Sequence, residues 1–115
     1  MTIWAAVRSA LAGLGLSVET NRRITQSGED LPDRFLSFQE IAAVPEEHVD
    51  DHEIVRAHLV QINLWSRDGF ENFPDVEAAM KAAGFLFQAE RDMEYDKETG
   101  HFGQSKDFLL WEEKE

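Results

Sequence analysis

The chain has 115 residues, 11 Lys+Arg against 23 Asp+Glu, no Cys, and a formal net charge of -12. That length makes one small domain with one core, and 43% apolar with 30% charged residues is a globular rather than a disordered composition. The acidity, -5 over residues 1–57 and -7 over 58–115, excludes tight binding to phosphate backbones or anionic membranes, and the missing thiols exclude disulfides, thiolate nucleophiles and Cys-based zinc sites.

Thr2 is placed to cap a first helix over residues 2–13. In it Ile3, Trp4, Val7, Leu11 and Leu14 recur at spacings of three and four, and Gly13 and Gly15 end it. A short strand over Leu16–Thr20 follows. Residues 21–33 are polar and turn-rich and read as a loop. Arg34–Val44 alternates as a strand with one buried face, and Pro45 is expected to end it. Glu46–Glu53 is almost wholly charged and reads as an exposed loop between strands. Ile54–Trp65 is the longest strand, with Ile54, His58, Val60, Ile62 and Leu64 on one face and Val55, Ala57, Leu59 and Trp65 on the other.

Ser66–Gly69 is a turn. Pro74, near a first helical position, opens a second helix in which Val76, Ala79, Met80 and Ala83 face inward, and Gly84 stops it. From Phe85 to Tyr95 the residues Phe85, Phe87, Ala89, Met93 and Tyr95 alternate with Leu86, Gln88, Glu90, Asp92 and Glu94. Asp96–Gly100 is a hairpin turn before a last strand over His101–Trp111. The order α-(β)-β-β-α-β-β predicts one α+β domain over residues 1–115, a mainly antiparallel sheet of four to five strands with two helices.

Chemistry is sparse in this pattern. His48 and His52, at i and i+4 among Glu46, Glu47, Asp50, Asp51 and Glu53, are the best metal candidates. A loop lacks the rigidity to hold ligands, so a solvated acidic loop is the preferred reading and no metal is assigned. Gly13-Leu14-Gly15 is half a dinucleotide fingerprint with no strand before it and Val18 where a third Gly would stand. No G-x-S-x-G elbow occurs, and His58 and His101 read as packed or surface residues. The expectation is a protein without catalytic residues or cofactor. No signal peptide or membrane span is legible, which points to a soluble, cytoplasmic chain. Phe70 and Phe73 lie in and beside the turn before the second helix; they suit either a partner contact or a local staple over its N-terminus.

One set of stretches resembles a known family. Ile62-Asn63-Leu64-Trp65-Ser66-Arg67 closes the long strand, followed by Gly69-Phe70 and a helix ending Ala82-Ala83-Gly84-Phe85. The acidic strand Glu90–Tyr95 and the turn Asp96–Gly100 come next. Together they resemble the tail-completion, or tail-terminator, proteins of long-tailed bacteriophages and prophages, the lambda terminator group. The resemblance spans residues 54–111, and the first helix matches by position and length. It implies a small α+β subunit that assembles into a six-membered ring, caps the tail tube and docks on the head connector. It implies host cytoplasm during assembly and the virion head–tail junction afterwards. The acidic segment has no counterpart in the family pattern.

On that reading Glu46, Glu47, His48, Asp50, Asp51, His52 and Glu53, with Phe70 and Phe73, are the expected partner-binding residues. Carboxylates around His48 and His52 favour their imidazolium forms, so the two rings would gain charge near or somewhat above pH 6.5. The competing classes are a small acidic enzyme or ligand-binding domain, and a regulatory protein that mimics DNA by its charge.

Overall fold

The structure is a computed structural model and describes residues 2–20, 32–49 and 52–113. Helix α1 spans Ile3–Leu11, and the Thr2 hydroxyl caps it by accepting from the Ala5 amide at 3.1 Å. A 3-10 turn, Ala12–Leu14, follows, and Gly15 takes the left-handed conformation (φ 73°) that releases the chain into β1, Ser17–Thr20. Strands β2 (Arg34–Val49) and β3 (His52–Ser66) come next, then α2 (Val76–Ala82), β4 (Leu86–Asp96) and β5 (His101–Glu113). The α+β order expected from the sequence is therefore present. The sheet runs β1-β2-β3-β5-β4, antiparallel except for the parallel β1·β2 pair. The expected loop at 21–33 lies outside the described residues apart from Pro32 and Asp33.

Both helices lie on one face of the sheet. Val7 and Leu11 of α1 and Val76 and Met80 of α2 pack with Leu36, Phe38, Val60, Ile62, Leu64 and Phe108 in one buried cluster. Each such side chain contributes about 1.5–3 kcal/mol by leaving water. Their origin is the alternation in β2, β3 and β5 meeting the helical stripes. The opposite face holds a second, smaller cluster: Phe35 and Trp65, with Met93 against them. There the Trp65 indole N–H donates to Ser37 Oγ at 3.2 Å, and the buried His101 ring stands edge-on to Phe35 at 5.3 Å.

Four expectations need correction. First, β2 is buried on both faces, not one, over Phe35–Phe38, because the second cluster sits behind the helix-facing core. Second, Pro45 does not end β2, which continues to Val49. Pro45 still pairs with Arg56 of β3, and the register shifts between Pro45 and Glu47, an irregularity of the kind at which a strand tolerates Pro. Third, the alternation in β4 breaks at a bulge around Gln88. Phe87 packs on the main core while Met93 packs on the other face, since one extra residue inverts every side chain that follows. Fourth, Pro74 precedes α2 rather than opening it. Asp75 is the cap, accepting from the Ala78 amide at 3.0 Å.

Arg67 fastens the end of the long strand. Its amide donates to the Asp33 carbonyl at 2.9 Å, its Nη1 meets Asp33 Oδ1 at 2.9 Å, and its Nε donates to the Thr99 carbonyl at 2.9 Å. The entry to β2 and the β4–β5 turn are thereby held to the exit of β3. The molecule measures 52 × 26 × 23 Å with a radius of gyration of 15.6 Å. A compact chain of this length would have about 13 Å. Strands β2 and β3 stay paired well beyond the described residues on which the helices pack and form an arm, backed by the end of β5.

Gly103 lies in the row Phe35–Trp65–Gly103–Met93. A Cβ there would stand 2.5 Å from the Trp65 ring and 2.9 Å from Met93 Cε. Gly103→Ala is expected to cost about 1–3 kcal/mol by overpacking, read by urea denaturation. Gly13→Ala, which meets nothing within 4 Å, should stay within about 0.5 kcal/mol of wild type.

Candidate functional site

The residues singled out from the sequence fall in two places that do not meet. Glu46, Glu47 and His48 belong to β2, and His52 and Glu53 to β3. Asp50 and Asp51, between them, lie outside the described residues. The expected loop is thus mostly a continuation of the β2·β3 ladder, in which His48 pairs with Glu53 and Val49 with His52. Backbone pairing decides this. Each further row of an antiparallel ladder satisfies amides and carbonyls that a loop would leave to water, while shifts at Ile41 and around Glu46 absorb the irregular positions. His48 and His52 therefore occupy successive rows of a hairpin, not one face of a helix.

Phe70 and Phe73 lie at the other end. Their rings meet edge to face at 5.4 Å, both are half-buried, and both pack on the main core. With Leu64, Val76, Gln104 and Lys106 they line a groove of about 270 Å³. Lys106 enters that groove already occupied: its Nζ is 2.6 Å from Glu90 and 4.0 Å from Glu77, and 5.7 Å from the Phe87 ring centroid. Leu64 and His52 are twelve positions apart on β3, about 40 Å at the rise of a strand. Groove and hairpin end are separate surfaces.

The histidines with described side chains are both committed to packing. His58 is buried and bonds the Glu40 carboxylate. His101 Nε2 lies 2.8 Å from the Pro32 carbonyl, so Nε2 carries the proton and donates. Its Nδ1 lies within hydrogen-bond distance of the Thr99 hydroxyl, at 2.9 Å.

Sequence reasoning missed the surface that lacks helices. At its centre Gln39 and Gln61 join their amides at 3.1 Å, and Arg91 pairs with Asp107 at 3.1 Å. Asn63 Oδ1, Ser105 Oγ and Asp107 Oδ1 are buried there with no hydrogen-bond partner among the described residues. Farther along, toward the arm, Ile41, Leu86 and Trp111 are exposed by 46%, 45% and 50%. A signal existed for Leu86, which stands as the one apolar member of the otherwise polar set Leu86, Gln88, Glu90, Asp92, Glu94. The remaining exposed large apolar residues, Tyr95 and Phe102, cover one another at 4.7 Å.

No protein-family model matches this chain, and a search of curated proteins finds no match. Among the described residues no helix is long and apolar enough to cross a membrane.

Because Phe70 and Phe73 pack on the core, Phe73→Ala should lower stability by about 1–3 kcal/mol in chemical denaturation. An unchanged denaturation midpoint would assign these rings to a partner contact instead.

Proposed function

We propose that the chain is a structural subunit of the tail-terminator kind, which forms a ring on the tail tube of a long-tailed phage and meets the head connector. The observation that carries this reading is the run Ile62–Arg67 closing a long central strand, followed in order by α2, an acidic strand and a final hairpin strand. Arg67 gives that run a mechanical role, holding β2, β3 and the β4–β5 turn together at one end of the sheet. The arm at the opposite end supplies a projecting element for contact with a neighbouring component.

Charge fits the same role. DNA passing a ring whose subunits each carry -12 is repelled rather than retained. The acidic run Glu46–Glu53 of the sequence suits a basic patch on the tube, the connector or an adjacent subunit. The reading places the protein in host cytoplasm during assembly and at the head–tail junction of the virion, with no catalytic step and no cofactor.

Assembly must overcome like-charge repulsion, which is screened over about 8 Å at physiological ionic strength. Light scattering and negative-stain microscopy should show monomer in dilute, low-salt solution and rings at higher concentration, higher salt or on tail tubes. A stable dimer and nothing larger under all these conditions would overturn the reading.

Replacing Glu46, Glu47, Asp50 and Asp51 by Gln or Asn should leave the denaturation midpoint nearly unchanged but impair joining of heads to tails. Normal joining would remove the acidic hairpin from the interface. A gel shift should show no micromolar or tighter binding of double-stranded DNA near physiological salt.

A further inference from the structure

A sheet with two open edges can continue into another molecule, because each edge strand presents unpaired amides and carbonyls. In this sheet one edge is β4. The other is β1, which pairs with β2 at Phe35–Phe38; among the described residues no strand pairs with the outer edge of β2 from Gln39 onward. The exposure of Gln39, Ile41 and Ala43 agrees with an open edge.

The charge along these edges is uneven. In β4 the carboxylates Glu90, Asp92, Glu94 and Asp96 occupy the later part, whereas Leu86-Phe87-Gln88-Ala89 carries no charge. In β2 the stretch Gln39–Ala43 contains one acid, Glu40, and its carboxylate is held by His58. A chain of charge -12 that meets its own copies does so with least repulsion through such neutral stretches.

The two neutral stretches also lie at one level. Backbone pairing runs in one row from Ala42 through Leu59 and Leu109 to Leu86, and in another from Gln39 through Gln61 and Asp107 to Ala89. They are opposite ends of the same rows. Strands β2 and β4 run in opposite directions, since three antiparallel steps separate them. A copy added along the row, without a shift along the strands, therefore forms an antiparallel pair, and the absence of a shift favours a closed ring over an open spiral.

We infer that copies of this chain join edge to edge, the Leu86–Ala89 end of β4 in one subunit pairing antiparallel with Gln39–Ala43 of β2 in the next. Leu86 and Ile41, the exposed apolar residues of the two stretches, then cover each other. Trp111, two positions beyond Leu109 on β5, closes the contact on the side of the arm. The inference rests on the ring reading, because a two-fold contact through either stretch alone would stop at a dimer.

The chain has no Cys, so engineered thiols report the contact without background. Ala42→Cys combined with Leu86→Cys should give, on mild oxidation under assembling conditions, a reducible ladder of cross-linked species up to the full ring, while each single variant gives none. Leu86→Glu should raise the concentration for half-assembly about fivefold, the effect of an unfavourable charge across a strand pair. Adding Ile41→Lys to the same chain should reverse most of that loss.

Within one subunit positions 41 and 86 lie on different edges of the sheet, so rescue reports a contact between copies. Circular dichroism checks that each variant is folded. Wild-type protein that stays monomeric throughout overturns both the ring and the edge contact. Wild-type rings with no ladder, or with half-assembly unmoved by Leu86→Glu, overturn the edge contact alone. Cross-linked dimers from Leu86→Cys by itself would replace it with a two-fold β4 contact.

Discussion

Backbone pairing of β3 on both of its sides is the constraint from which the other features follow. β3 is hydrogen-bonded to β2 on one side and to β5 on the other over nearly its whole length. Its alternate residues Val60, Ile62 and Leu64 form the floor on which both helices sit, while Trp65 supports the second cluster behind. The helices are short, nine and seven residues, and would not persist alone in water. They are held by the apolar floor that the central strand provides. The same ladder, running on past the helices, makes the arm.

Charge then sorts what this frame can do. Acidic residues fill the later part of β4 and, in the sequence, the run over residues 46–53. Acids on the paired strands have partners: Glu40 bonds His58, Asp107 pairs with Arg91 and Glu90 with Lys106. Such pairs contribute little net stability where water reaches them. Their effect is to leave neutral surface between regions of strong negative potential, and so to restrict where another acidic molecule can approach.

Element type and order were legible because local signals are clear: three-and-four spacing in α1, alternation over Val60–Leu64 of β3, and Gly15, Gly84 and Gly100 at turns that use their positive φ. The sequence misled where one residue changes the count. The bulge at Gln88 turns an apparently single-faced strand into one that serves both clusters, and composition carries no mark of it. Pro45 and the charged run after it looked like a terminus because local propensity opposes a strand there, yet pairing with β3 overrides propensity. Of the candidate site, the aromatic pair Phe70–Phe73 was visible as a pair, but its packing on the core was not. The surface without helices went unnoticed because its residues come from four strands and acquire meaning only through register.

The elongated form has a hydrodynamic consequence. A particle twice as long as it is wide meets more friction than a sphere of equal mass, so a single subunit sediments slowly and leaves a gel-filtration column early. Calibration against spherical standards therefore overstates its mass. Association states of this protein have to be assigned from scattering intensity or sedimentation equilibrium, which weigh the particle without assuming its shape.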